Sequence, residues 1–271
     1  MEIRPELRFA AASRVIIAAF NPKGGSGKTT TAVNVAAVLA SMGRKVLLID
    51  LEADLNASIS LGVRPAEARP SIAEVLLREQ DAADAIRPIR DAPNLFLISG
   101  SPALARMDRS LRNAREPERR LADVIKPLAP QFDAVVLDAP AGYSLLTRSV
   151  LIAADDIVVP VRAEYLALES LAQFLTWYRD LHAERRATAR LGGILLTMVD
   201  YRRQATREII DMIRRHNRRG VFTTEIPLDQ RVAESPSHGV PVVAYARTAR
   251  SSRAYQEFTA ELLTRSTRRT R

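Results

Sequence analysis

Ten residues constrain this chain more than any others: Asn21-Pro22-Lys23-Gly24-Gly25-Ser26-Gly27-Lys28-Thr29-Thr30, between an apolar run at 15–20 and a helical pattern over about 27–42. Glycines at 24, 25 and 27 let successive backbone N–H groups converge on one concavity. Lys28 can reach the β- and γ-phosphates of a nucleotide held there, and the Thr29 hydroxyl can bind Mg²⁺. The cradle sits at the positive end of a helix dipole, where phosphate is stabilised. A strand before the glycines and a helix after them separate this reading from a chance glycine-rich turn. ATP with magnesium is the expected ligand, held by Lys23, Gly24, Gly25, Ser26, Gly27, Lys28, Thr29 and Thr30. Pro22 stands where the general G-x-x-x-x-G-K-T spacing has its first glycine, and a second lysine, Lys23, opens the loop.

The rest of the chain repeats that alternation. Short apolar runs at 15–20, 45–51, 95–99, 134–138, 156–161 and 193–198 read as strands, several of them apolar throughout, as strands covered on both faces are. Helical patterns fall at about 27–42, 71–80, 117–129, 145–154, 167–187, 204–217 and 251–264, and Ser71 with Glu74 fits a capping box. This order predicts an α/β fold: one P-loop NTPase domain, a mostly parallel twisted sheet with helices on both faces. The expected division is an N-terminal extension at 1–13, the ATPase domain at 14–264 and a basic tail at 265–271. Segments 62–70 and 99–117, rich in Pro, Arg and Ser, read as surface connections. Asp138 closes the run Ala134-Val135-Val136-Leu137, at the sheet edge where nucleotides bind, and a carboxylate there can hold magnesium through water.

Composition narrows the chemistry. The chain has no cysteine and three histidines, which excludes thiol nucleophiles and disulfides and disfavours a histidine metal cage. No apolar run approaches the ~20 residues of a membrane span, and the first residues lack an apolar signal segment, so a cytoplasmic location is expected. Of the net charge of +9, eight units fall in residues 201–271, which hold 15 arginines against 7 carboxylates. Arg202, Arg203, Arg231, Arg247, Arg250 and Arg253 come from separate segments there, with few aromatics between them. Guanidinium forks suit phosphodiester oxygens, so sequence-independent binding to double-stranded DNA is expected rather than stacking on single strands.

The loop with its extra lysine resembles the deviant Walker A ATPases of the ParA/MinD family. The likeness continues through Asp50-Leu51-Glu52-Ala53-Asp54-Leu55-Asn56-Ala57-Ser58 (a first switch), Leu137-Asp138-Ala139-Pro140 (a Walker B strand end) and Val159–Tyr165 in the following strand and loop. Segments 196–200 and 226–239 look like the adenine-side segments of the ParA/Soj branch, which assigns Met198 and Pro227 to adenine. The resemblance implies a homodimer closed face to face by ATP, with Lys23 crossing to the partner's nucleotide. It also implies nonspecific DNA binding by that dimer, with Arg202 and Arg231 nearest the family's contact positions. A ParB-like or cargo-adaptor protein would stimulate hydrolysis, and the dimer would be nucleoid-associated, moving a chromosome, plasmid or protein complex.

Departures bear on activity. The family's switch reads Asp-x-Asp-Pro-Gln, whereas Glu52, Ala53 and Asp54 stand at its last three positions here. Asp50 and Glu52 are taken as magnesium-shell and water-positioning candidates. A nucleotide-gated scaffold with slow hydrolysis is the alternative that the longer Glu52 side chain raises. A MinD-like membrane regulator is the other, disfavoured by a last helix with a narrow apolar stripe and a tail without bulky apolar residues. Only about 13 residues precede the ATPase domain, so no separate operator-reading domain is expected there.

Overall fold

The structure, a computed structural model, describes residues 14–184, 186–217 and 220–268, with side chains as far as Ser266. The proposed extension at 1–13 and the last residues of the proposed tail lie outside the described residues.

Eight strands form one sheet: β1 (Val15–Ala19), β2 (Val46–Asp50), β3 (Arg87–Pro88), β4 (Leu95–Ile98), β5 (Ala134–Asp138), β6 (Asp156–Arg162), β7 (Arg190–Val199) and β8 (Val221–Pro227). Their order is β3-β4-β2-β5-β1-β6-β7-β8, parallel throughout except for the two-residue β3, which runs antiparallel to β4. The helices are α1 (Lys28–Ser41), α2 (Asn56–Ser60), α3 (Ile72–Leu77), α4 (Ala82–Ala85), α5 (Met107–Ser110), α6 (Arg120–Leu128), α7 (Leu145–Ala153), α8 (Tyr165–Ala183), α9 (Gln204–His216), α10 (Gln230–Glu234), α11 (Val242–Tyr245) and α12 (Arg250–Arg268).

Period-two alternation along β1 builds two cores. Ile16, Ala18 and Phe20 face one cluster with α3 and α6 to α9, while Val15, Ile17 and Ala19 face another with α1, α11 and α12. Amphipathic helices seat by their periodicity, as α9 does in burying Thr206, Ile209, Ile210 and Ile213. The capping box forms: Ser71 accepts from Ala73 N, and Glu74 accepts from Ser71 N at 2.9 Å. Chain connections leave β1 towards β2 on one side and cross from β5 to β6 on the other, so a crevice opens at the carboxyl end of β1.

Three expectations need correction. β8 was not foreseen; it is an edge strand, and Thr223, Thr224 and Glu225 break its apolar run. Segment 99–117 is more than a connection, since it holds α5 and buries Leu104, Met107 and Leu111. The last helix runs past 264, where Arg265 bonds the Val221 carbonyl at 2.8 Å and Ser266 bonds Asp156 at 2.9 Å, which makes both part of the folded domain.

Candidate nucleotide site

The glycine loop occupies that crevice and is held from three sides. Asn21 donates from Nδ2 to the Pro160 carbonyl of β6 at 2.7 Å and accepts from Lys23 N at 2.9 Å. The Pro22 carbonyl accepts from Gly142 N at 2.9 Å, and the Thr197 hydroxyl of β7 donates to the Ser26 carbonyl at 2.8 Å. Gly25 and Gly27 take φ of +69° and +90°, a region that disfavours any Cβ and turns their amides into the hollow. No side chain caps α1 and no acid occupies its first turn, so its amino-terminal N–H donors stay available to an anion.

Carboxylates gather beneath the loop through strand register, which pairs Asp138 with Ala19 of β1 and with Asp50 of β2. Asp138 is fully buried, and neither of its oxygens closes a hydrogen bond. Burial above all, then the nearby Asp50 charge, pushes its pKa well above the usual carboxylate range, with Thr29 offsetting a part. Lys28, itself buried, lies 3.9 Å from Glu52. Burial raises the Glu52 pKa and Lys28 pulls it back in part. An orphaned carboxylate beside a threonine hydroxyl is a polar set lacking a cation. Among the described residues no group of three or more His, Cys, Asp or Glu forms a cage. Such sparse oxygen donors fit Mg²⁺, which shares its shell with water and phosphate, and Thr29 and Asp138 are the residues that could hold it.

Asp50 is tied to the switch segment by hydrogen bonds. Its Oδ2 accepts from Ser58 N at 2.8 Å and Ser58 Oγ at 2.7 Å, and its Oδ1 accepts from Glu52 N at 3.1 Å. Both oxygens thus help shape the segment that carries Glu52, Oδ2 through two bonds and Oδ1 through one. Gly100, at the end of β4, completes the seat: a Cβ there would lie 2.5 Å from the Glu52 carbonyl oxygen and 3.1 Å from Asp50. Sequence reading missed Gly100 and gave no role of their own to Ser58 and Thr197, which lie within quoted motifs; a serine-flanked glycine just past a strand was the available signal for the first.

Met198 follows Thr197 with φ of +53°, and the adjacent Val199 is in register with Pro227. Both proposed adenine residues thus reach the sheet edge that holds the loop. Lys23 is half-buried on a cavity of about 120 Å³ that Arg162 and Glu164 also line, and it makes no ion pair among the described residues. The six carboxy-terminal arginines are all exposed, yet they divide into two sets. Arg202 forms a bidentate pair with Asp200 at 2.7 and 2.9 Å, Arg203 approaches the same acid at 3.7 Å, and Arg231 meets Asp229 at 3.3 Å. Arg247, Arg250 and Arg253 have no ion pair among the described residues.

A glycine cradle opening a helix at the switch point of a parallel sheet, with a buried carboxylate on the neighbouring strand, defines a P-loop nucleotide-binding domain. The family model described as AAA domain matches residues 14–190. The sporulation initiation inhibitor protein Soj of Bacillus subtilis is 34% identical over 247 residues, covering 91% of this chain and 97% of that protein. The chromosome-partitioning ATPase Soj of Thermus thermophilus is 37% identical over 254 residues, covering 92% and 95%. Among solved structures, cobyrinic acid a,c-diamide synthase from Mycobacterium smegmatis with bound ATP analogue and magnesium superposes with a TM-score of 0.81 at 28% identity, covering 96% and 98%. The chain belongs to the ParA/MinD family of P-loop ATPases, in its Soj/ParA partitioning branch.

Proposed function

We propose that the chain is an ATP-driven partitioning switch, a homodimer when ATP-bound, that grips nonspecific duplex DNA and lets go once a partner stimulates hydrolysis. The observation that carries this is Asp138: a fully buried carboxylate with no partner besides the nearby Thr29 hydroxyl, close to Lys28 under the glycine cradle. A site of that charge pattern is completed by a triphosphate with its metal. Lys28 and the amides from Gly24 to Thr30 hold the β- and γ-phosphates, and Thr29 and Asp138 hold magnesium. The metal, when bound, neutralises charge on the phosphate oxygens. Glu52 orients the water that attacks the γ-phosphorus in line with the bond to the β-phosphate oxygen, giving ADP and phosphate. Met198 and Pro227 flank the adenine.

Lys23, on the rim and without an ion pair among the described residues, reaches the nucleotide of a second copy and makes pairing depend on the γ-phosphate. Exposed arginines at 247, 250 and 253, with 202, 203 and 231, then meet DNA. A ParB-like protein or other cargo adaptor serves as the activator, and the chain works in the cytoplasm on the nucleoid. Among the described residues no helix is long and apolar enough to cross a membrane, and the apolar side of α12 is buried against the sheet.

The test is Lys23→Ala with a nonhydrolysable ATP analogue, read by sedimentation. The variant is expected to bind nucleotide yet stay monomeric, and analogue-driven pairing of the variant equal to wild type would refute the reading. One observation favours a second function, a nucleotide-gated scaffold: Glu52 lies against Lys28 and must leave it to orient water. Single-turnover assays separate the two, since a scaffold binds ATP without releasing phosphate.

A further inference from the structure

A second cationic surface lies away from the carboxy-terminal region. Arg106, Arg109, Arg112, Arg115 and Arg119 follow one another at intervals of three or four residues along the 3-10 turn Pro102–Arg106, α5 and the turns after it. Residues three apart on such turns share a side. Leu104, Met107 and Leu111 point inward at 6%, 1% and 4% exposure, whereas all five arginines are exposed.

The acids of this segment do not neutralise them. Asp108 accepts from Leu145 N at the start of α7 at 3.1 Å. Glu118 accepts from Arg148 at 2.7 Å and from Arg186 at 2.5 Å. Asp108 and Glu116 remain exposed, yet none of the five arginines has an ion pair with either or with any other acid among the described residues. Arg120, in contrast, turns inward to the Leu76 carbonyl at 2.7 Å. Asp108 and Glu118 serve the segment's own anchorage, and the five guanidiniums are left without an ion pair among the described residues.

Two features select the ligand. None of the exposed large hydrophobic residues, such as Tyr165 and Leu166, falls in this segment, so a protein partner would find no apolar anchor. No aromatic side chain occupies it for base stacking either. Bare guanidinium forks on a polar surface suit phosphate oxygens of a duplex backbone. Met107 and Leu111 belong to the core on the α6-to-α9 side of the sheet, while α12 packs on the other side, so this surface is no extension of Arg250 and Arg253.

We propose that Arg106, Arg109, Arg112, Arg115 and Arg119 form a second surface for the phosphate backbone of duplex nucleic acid, on the opposite side of the sheet from α12. The proposal rests on the reading above only for the choice of duplex DNA as probe.

The experiment measures binding of a labelled duplex across a salt series, with nonhydrolysable ATP analogue present. It compares wild type with R109Q/R112Q/R115Q, R109K/R112K/R115K and R247Q/R250Q/R253Q, after analogue binding has shown each to be folded. Loss of three phosphate contacts should make the slope of log K against log salt shallower by about 2.7 and weaken binding at least tenfold at moderate salt. The lysine version should keep most of the slope. If the glutamine variant at 109, 112 and 115 matches wild type in slope and affinity, the proposal is overturned, whatever the carboxy-terminal variant does. Loss confined to the 109, 112 and 115 variant would uphold this surface and remove the carboxy-terminal one. Absence of duplex binding by wild type would overturn both.

Discussion

Replacing Gly100 by alanine adds one methyl group where the structure has no room. The new Cβ would sit 2.5 Å from the Glu52 carbonyl oxygen and 3.1 Å from the Asp50 carboxylate. Restoring ordinary contact at about 3.4 Å requires the Glu52 segment to retreat by roughly 0.9 Å, because a backbone carbonyl cannot rotate away as a side chain would. In the function proposed above Glu52 orients the attacking water, and a displacement near 1 Å would cost about 10²-fold in rate. Gly24 to Thr30 are untouched. The variant should therefore lose about 10- to 100-fold in kcat while nucleotide affinity changes less than about threefold, with overpacking destabilising the fold by about 1–3 kcal/mol. Steady-state phosphate release, equilibrium binding of an ATP analogue and thermal melting measure the three quantities. A kcat within twofold of wild type, in a variant that melts cooperatively, would refute the claim that Gly100 seats the catalytic segment. Affinity and rate falling together would place the defect in the phosphate loop instead.

Three further outcomes can be checked. Asp138→Asn should abolish magnesium-dependent hydrolysis yet raise the melting temperature of the metal-free protein. The raised Asp138 pKa means the folded chain binds this proton more tightly than the unfolded one, so wild-type stability rises as pH falls from neutral into the acid range; the asparagine variant should lose that slope, and an unchanged slope would count against a buried charge. Glu118→Gln breaks the bridge to Arg148 and Arg186 and should cost about 1 kcal/mol at neutral pH. Burial alone would raise the Glu118 pKa, but the two guanidiniums outweigh it and hold it low, so the deficit should close as pH falls through the acid range, read by denaturant melts at each pH. The single tryptophan, Trp177, meets Tyr143 edge-on at 4.7 Å, and Tyr143 lies in the loop after Asp138. Nucleotide binding should change its fluorescence in wild type and change it less in Tyr143→Ala; equal responses would mean that this loop does not answer to the ligand.

Local chemistry made most of the architecture legible before any coordinates. Runs such as Val46–Asp50 and Ala134–Asp138 are apolar because both faces of the sheet are covered, and no competing pattern disguises them. β8 escaped because an edge strand is free to be polar. The phosphate loop was readable for a similar reason: its chemistry is made by consecutive residues. Gly100 was not, since its importance lies in a contact with residues 50 and 52, which β2 brings alongside β4. For Asp50, the sequence did not show that Ser58, eight residues on, donates twice to its Oδ2 and ties it to the switch segment. Charge counts located a basic carboxy-terminal region without distinguishing Arg202, tied to Asp200, from Arg250, and a one-dimensional tally cannot make that distinction.

The pairing of Arg202 and Arg203 with Asp200, and of Arg231 with Asp229, has a kinetic meaning. If these arginines meet DNA as proposed, each carries a tethered counterion that competes for it throughout an encounter, so a phosphate would be exchanged rather than captured. Detachment has a replacement waiting a few ångströms away. A surface built in this way favours brief, repeated residence along a polymer over permanent anchorage.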